Sequence, residues 1–169
     1  MRFILPLLII FCSNGAFGNT CLLAKYEQYV SAKIKWQNDL TTLITSKDPK
    51  VQDVANLSRD DQLAYIFKNS LAVKLLLKDS PRKVKVNEKV NMWLQLDNYD
   101  QENLANKNTT YKQLYNNVLA NKHREKHPDG DRIRKLMKTQ IMPTNEFKTL
   151  LSNFKSSVSK INSIVCAAI

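Results

Sequence analysis

The chain has 169 residues, too few for two comfortable domains and enough for one domain with a real core. Its formal net charge of +11 favours acidic surfaces as partners: an acidic protein, anionic lipid, acidic glycan or nucleic acid. Of its 3 glycines, two lie at positions 15 and 18, so only Gly130 is left for the rest of the chain, which excludes a turn-rich sandwich or barrel.

The N-terminus reads as an export signal. Arg2 is followed by an unbroken apolar run, Phe3 to Phe11, and then by small and polar residues from Ser13 to Gly18. The run is shorter than the roughly 20 apolar residues a membrane-spanning helix needs. Ala16 and Gly18 suit the −3 and −1 positions of a cut before Asn19, so residues 1–18 are expected to be the signal peptide and 19–169 a single helical domain. Lipid attachment at Cys12 is the rival reading; Phe11 is too large for the residue before a lipidated cysteine. Cleavage leaves Cys21 and Cys166, which the sequence reads as one disulfide in an oxidising compartment, periplasmic or extracellular. Two free thiols serving redox or metal chemistry are the alternative, and the lack of a CxxC spacing argues against it.

The first helix is expected from about Thr20 to Thr45, with Leu22, Leu23, Tyr26, Val30, Ile34, Leu40, Leu43 and Ile44 roughly in a 3.6-residue period. A short helix is expected from Lys50 to Asn56. Ser58 and Asp61 then resemble a capping box opening a third helix from Arg59 to Asp79, the most apolar one and the expected bundle centre. Ser80-Pro81 ends it.

Residues 82–96 are ambiguous. Val84, Val86, Val90, Met92, Leu94 and Leu96 alternate, yet Val86, Val90, Trp93 and Leu94 also fit one helical face. The preferred reading is an extended strap across the bundle with Trp93 as its anchor. Asp97 is expected to cap a helix to Lys107, and Thr109 or Thr110 another to Lys126. His127-Pro-Asp-Gly-Asp131 is a turn, followed by a short basic helix from Arg132 to Lys138. Thr144 caps the last helix, whose stripe runs Phe147, Leu150, Leu151, Phe154, Val158, Ile161, Ile164, Val165. The expected fold is therefore all-α: a small bundle of about five to six helices with an extended strap, closed by a disulfide between the first and last helix.

No motif specifies a reaction or a cofactor, and no metal site or catalytic residue is assigned. His123 and His127 share a helical face, but the letters H-R-E-K-H misplace the glutamate for zinc-protease chemistry, and histidines suit a helix C-terminus on charge grounds alone. The acidic residues Asp60, Asp61, Asp97, Asp100 and Glu102 fall at expected helix starts, where capping explains them. Two basic segments stand out, Lys74 to Lys89 and Lys122 to Lys138. The second joins both histidines to the densest positive charge, so the candidate binding surface is His123, Arg124, His127, Asp129, Arg132, Arg134, Lys135 and Lys138, with Trp93 on the strap as the fallback. The histidines would make binding there sensitive to pH near about 6.5. Against this stands the bland reading of a solvated, capped turn. The tyrosines read as core or semi-core, with Tyr29 and Tyr99 the most exposed. Asn56 and Asn108 open glycosylation sequons that matter only in a eukaryotic secretory pathway.

The functional expectation is an exported, non-catalytic helical binding protein, such as a secretion accessory, a toxin-neutralising factor or a chaperone, acting on another, acidic protein. The alternative is a basic secreted protein acting on anionic membranes or acidic polymers. Export disfavours nucleic acid.

Overall fold

The computed structural model describes residues 14–166; the apolar run of the expected signal, and Cys12, lie outside the described residues. The helices are α1 (Asn14–Lys47), α2 (Gln52–Asp79), α3 (Asn98–Lys107), α4 (Thr109–His123), α5 (Gly130–Leu136) and α6 (Asn145–Asn162), with no strand among the described residues. The expected cut before Asn19 falls inside α1.

Helices α1 and α2 form a long hairpin. Asp48 turns the chain by accepting the Lys50 N–H at 3.1 Å, and Pro49 opens a single 3-10 turn where a missing N–H costs nothing. Val51 is fully buried at this turn. From Gln52 the helix runs to Asp79 without a break, which corrects the expected pair of helices and the cap between them. Ser58 lies inside α2 and is exposed, and Asn56 is also helical. No glycine or proline interrupts the segment, and Val54 and Ala55 are buried, so propagation of an existing helix wins over starting a new one. Pro81 then stops α2, and the Ser80 N–H bonds to the Leu76 carbonyl.

The strap across residues 82–96 is present, and it is neither strand nor α-helix. One 3-10 turn, Pro81–Lys83, precedes a reversal closed by Lys85 N–H donating to the Trp93 carbonyl at 2.9 Å, and a second, Val90–Met92, lies within it. Val84, Val90 and Trp93 are buried, so the alternating valines record an inward and outward pattern without a sheet. Trp93 is 0% exposed and stacks on Tyr26 of α1 at 5.8 Å, and its indole N–H donates to the Glu88 carbonyl at 3.0 Å.

The caps are mostly local. Asp97 accepts the Asp100 N–H at 2.8 Å, and Thr144 accepts the Phe147 N–H at 3.2 Å, both as expected. Asn108, rather than Thr109 or Thr110, caps α4 by accepting the Tyr111 N–H at 2.8 Å. Helix α4 ends at His123, three residues short of the expected Lys126, and α5 starts at Gly130, ahead of Arg132. After Leu136 the chain widens into one π-type turn, closed by Met142 N–H to the Met137 carbonyl at 2.9 Å. Helix α6 stops at Asn162, so Ile164 and Val165 leave the stripe, and Val165 is 92% exposed.

Three apolar clusters hold these pieces. The central one joins α1, α2, the strap and α6 through Leu22, Tyr26, Val73, Leu77, Trp93 and Ile161. A second, at the hairpin end, packs Ile44, Val51 and Val54 against Leu136 and Ile141. A third sets Tyr111 of α4 against Ala72 of α2 and Ala105 of α3. Helix α2 contributes to all three, as its apolar content implied. Along the α1–α6 seam Trp36 meets Phe147 and Phe154, at 5.9 and 5.4 Å. Cys21 and Cys166 form the expected disulfide, 145 residues apart in sequence, and Lys25 donates to the Asn162 and Ile164 carbonyls beside it.

Candidate functional site

The sequence-selected segment forms a corner where α4 turns into α5 and both lean on α2. Gly130 N–H donates to the His127 carbonyl at 2.9 Å, and Asp129 N–H donates to His127 Nδ1 at 3.1 Å, which sets the ring within the turn. Gly130 does not have a positive φ, and a Cβ there would meet only Arg134 Nη1 at 3.6 Å, so the turn does not depend on glycine. Asp131 does not cap α5; its carboxylate pairs with Arg134.

The corner's arginines are tied down. Arg124 reaches Asp61 on α2 at 2.5 Å. Arg132 donates through Nε and Nη2 to Asp48 Oδ2, at 3.0 and 2.7 Å. These side chains are partly exposed, and such pairs contribute about 1 kcal/mol or less each. They orient the corner more than they stabilise it. Lys126, Lys135 and Lys138 are exposed and have no carboxylate partner among the described residues, and His123 is exposed in the last turn of α4. Between α2 and the corner runs a groove of about 400 Å³ lined by the apolar Val54, Leu57 and Ile133 and by groups of both charges, Arg124, Lys126 and Arg134 with Asp61, Glu125 and Asp131, beside His127. The structure thus brings His127, Asp129, Arg124 and Arg134 together. Trp93 does not join them: it is buried in the central cluster and offers a partner no surface, so its selection as a fallback binding residue is corrected to that of core anchor.

Two further features were not read from the sequence. A cleft of about 760 Å³ lies between α1 and the strap beside the disulfide, lined by Leu22, Lys25, Val84, Val86 and Cys166 among others. The other is a knot of lysines and tyrosines between α1 and α2. The Lys33 ammonium lies 5.6 Å from the ring centre of Tyr29 and 5.8 Å from that of Tyr65. The Lys68 ammonium lies 4.9 Å from the Tyr65 ring centre and donates to Gln101 Oε1 of α3 at 2.7 Å. Lys68 is only 5% exposed, while Tyr65 is 44% exposed, contrary to its semi-core reading; Tyr99 is exposed as expected, and Tyr29, expected to be exposed as well, is half-buried between α1 and α2. Burial pushes the Lys33 and Lys68 ammoniums below the usual lysine range and the Tyr29 phenol above the usual tyrosine range, with Tyr65 adding to the Tyr29 shift. A signal was present in the sequence: Ala64, Lys68, Ala72 and Leu76 recur every fourth residue, which places one lysine in the middle of a buried stripe.

Among the described residues, no group of three or more His, Cys, Asp or Glu stands close enough to hold a metal ion, and no helix is long and apolar enough to cross a membrane. Fold and corner together define a class: an all-α bundle with its first and last helical regions joined by one disulfide and a basic, grooved corner at the opposite end of the α1–α2 hairpin. Compared with protein-family models, curated proteins and solved structures, the chain matches none.

Proposed function

We propose that this protein is an exported, non-catalytic binding module that holds an acidic, partly aliphatic segment of another protein against the α4–α5 corner. The observation that carries the reading is the groove itself, an apolar floor of Val54, Leu57 and Ile133 whose lining arginines, Arg124 and Arg134, are paired with Asp61 and Asp131, with Glu125 and Lys126 also at its edge. Apolar floor supplies affinity, and the surrounding positive field speeds encounter and selects an acidic partner. Because Arg124 and Arg132 already answer Asp61 and Asp48, the positive charge on offer comes from Lys126 at the groove and from Lys135 and Lys138 on the adjoining α5 and π-type turn, outside the groove lining. Export is supported by the charged start and apolar run of residues 2–11, and the disulfide is of the kind that persists in oxidising compartments.

The test is capture of a partner from the host's extracytoplasmic fraction by the disulfide-bonded protein, compared with the Lys126→Glu, Lys135→Glu, Lys138→Glu triple variant. Loss of the partner with unchanged helical circular dichroism is the expected result. Capture at wild-type strength by the folded variant overturns the assignment of this corner. Binding to anionic lipid vesicles that vanishes as salt rises, with no protein captured, would favour the reading of a membrane-directed or polymer-directed basic protein.

A further inference from the structure

We propose that the Lys33–Tyr65–Lys68 cluster between α1 and α2 is a binding site for an oxyanion of the phosphate or sulfate class. The site is separate from the α4–α5 corner and does not depend on the reading given there.

The argument starts from uncompensated charge. Lys68 is 5% exposed, and neither it nor Lys33 has a carboxylate within ion-pair distance among the described residues. Buried ammoniums are normally answered by a carboxylate, because desolvation otherwise drives them neutral. Here the Tyr65 ring face and Gln101 Oε1 are what Lys68 meets, and an ammonium has three donors of which Gln101 takes one. Lys33 is half-buried and faces two rings, with no acceptor atom bonded to it. Ring faces attract a cation without neutralising it. Two like charges therefore gather around one ring, both within 5.8 Å of its centre, from opposite members of the helix hairpin. Of their six N–H donors only one, from Lys68 to Gln101, has an acceptor among the described residues, and an anion would supply the missing acceptors and counter-charge.

The donor set decides the class of anion. Two ammoniums approach the Tyr65 ring from different helices. A planar carboxylate presents two oxygens in one plane and suits a fork such as arginine. A tetrahedral dianion presents oxygens in several directions and carries the charge needed to answer both lysines. Tyr65 is 44% exposed and opens the cluster to solvent, while Lys68 beneath it is 5% exposed.

The test titrates the folded, disulfide-bonded protein with inorganic phosphate, inorganic sulfate and phenyl phosphate by isothermal calorimetry, at constant ionic strength with chloride as the control anion. Saturable binding of phosphate or sulfate over chloride is expected. Lys68→Met, which keeps the length of the side chain and removes its charge, should weaken that binding about tenfold or more. Lys33→Gln, at a more exposed position and so safe for folding, should weaken it in the same direction. Equal affinity for phosphate and phenyl phosphate identifies the free ion as the ligand, and tighter binding of phenyl phosphate identifies an ester carried on a larger molecule. Absence of saturable binding by all three probes, or wild-type affinity in both folded variants, overturns the proposal.

Discussion

The Lys25 ammonium donates to the Ile164 carbonyl oxygen at 2.7 Å, linking the first turns of α1 to the chain just beyond α6. Lys25 is 8% exposed, also reaches the Asn162 carbonyl at 3.3 Å, and lies 5.8 Å from the centre of the Trp93 ring. It satisfies carbonyls that the end of α6 leaves unpaired, at the end where the helix dipole favours a cation. The disulfide four residues before it joins the same two segments. The bundle is thus closed twice at one place, once covalently and once by a buried charge-assisted bond.

Double closure has a measurable consequence. Replacing Cys21 and Cys166 with serine should leave the protein helical and lower its unfolding free energy by about 2–5 kcal/mol, the range for removal of a native disulfide. Lys25→Met should cost about 1–3 kcal/mol by stranding buried carbonyls. Because both changes release one contact region, the effects should be non-additive by about 0.5 kcal/mol or more in a double-mutant cycle. Denaturant unfolding followed by circular dichroism checks all three values, and strict additivity would show that the two closures act independently.

Trp93→Ala should destabilise by about 3–5 kcal/mol, as expected for removing a large aromatic from a packed core. The side chain is fully buried, stacked on Tyr26, and bonded to the Glu88 carbonyl. Trp93→Phe should recover most of the packing and lack only that hydrogen bond. In a Trp36→Phe background, where Trp93 is the remaining tryptophan, emission should be blue-shifted and poorly quenched by iodide. A folded Trp93→Ala protein of wild-type stability would contradict the anchoring role.

Capping offers a contrast within one molecule. Thr144→Ala and Asn108→Ala should each cost about 1 kcal/mol, because each side chain accepts an otherwise unpaired N–H at a helix start. Ser58→Ala should be neutral or slightly stabilising, since Ser58 is exposed inside α2 and alanine is the better helix former there. Thermal melts of the three variants decide the point. A Ser58→Ala loss equal to the Thr144→Ala loss would mean that α2 is two helices after all.

Alkaline pH should unfold the protein through its buried phenols. Burial, with Tyr115 and Tyr65 nearby, pushes the Tyr111 phenol up to about 12, and burial raises Tyr26 as well. A folded-state value above the unfolded one means the folded protein holds its proton more tightly. That contribution to stability is complete below about pH 10 and is lost as pH rises through the folded value. Phenolate absorbance should therefore report fewer than the 6 tyrosines near pH 10, with the remainder ionising as helical signal disappears. Tyr111→Phe should move that loss to higher pH and should not destabilise at neutral pH, because the Tyr111 hydroxyl is buried without a hydrogen-bond partner. Ionisation of all tyrosines together near pH 10 in a still-helical protein would refute this.

By itself the sequence determined what depends on neighbours along the chain. The stop at Pro81, the caps at Asp97 and Thr144, the α6 stripe from Phe147 to Ile161 and the all-α class follow from backbone sterics and a 3.6-residue period, which act over a few residues. The Cys21–Cys166 pairing was also legible, because two cysteines at the ends of antiparallel helices have one partner each. Where two local signals competed, only packing decided. Ser58 carried a cap signal, yet burial of Val51, Val54 and Ala55 against Ile44 and Leu136 made one long α2 the better solution. Valines alternating along the strap served two 3-10 turns, because Trp93 had to reach Tyr26. The cluster around Tyr65 came from three helices far apart in sequence: Lys33 and Tyr29 on α1, Tyr65 and Lys68 on α2, and Gln101, which meets Lys68, on α3. A periodic pattern reports that a lysine lies on a buried face. Which groups meet it there depends on desolvation and side-chain contact in three dimensions, and those forces depend on distance in space rather than on separation along the chain.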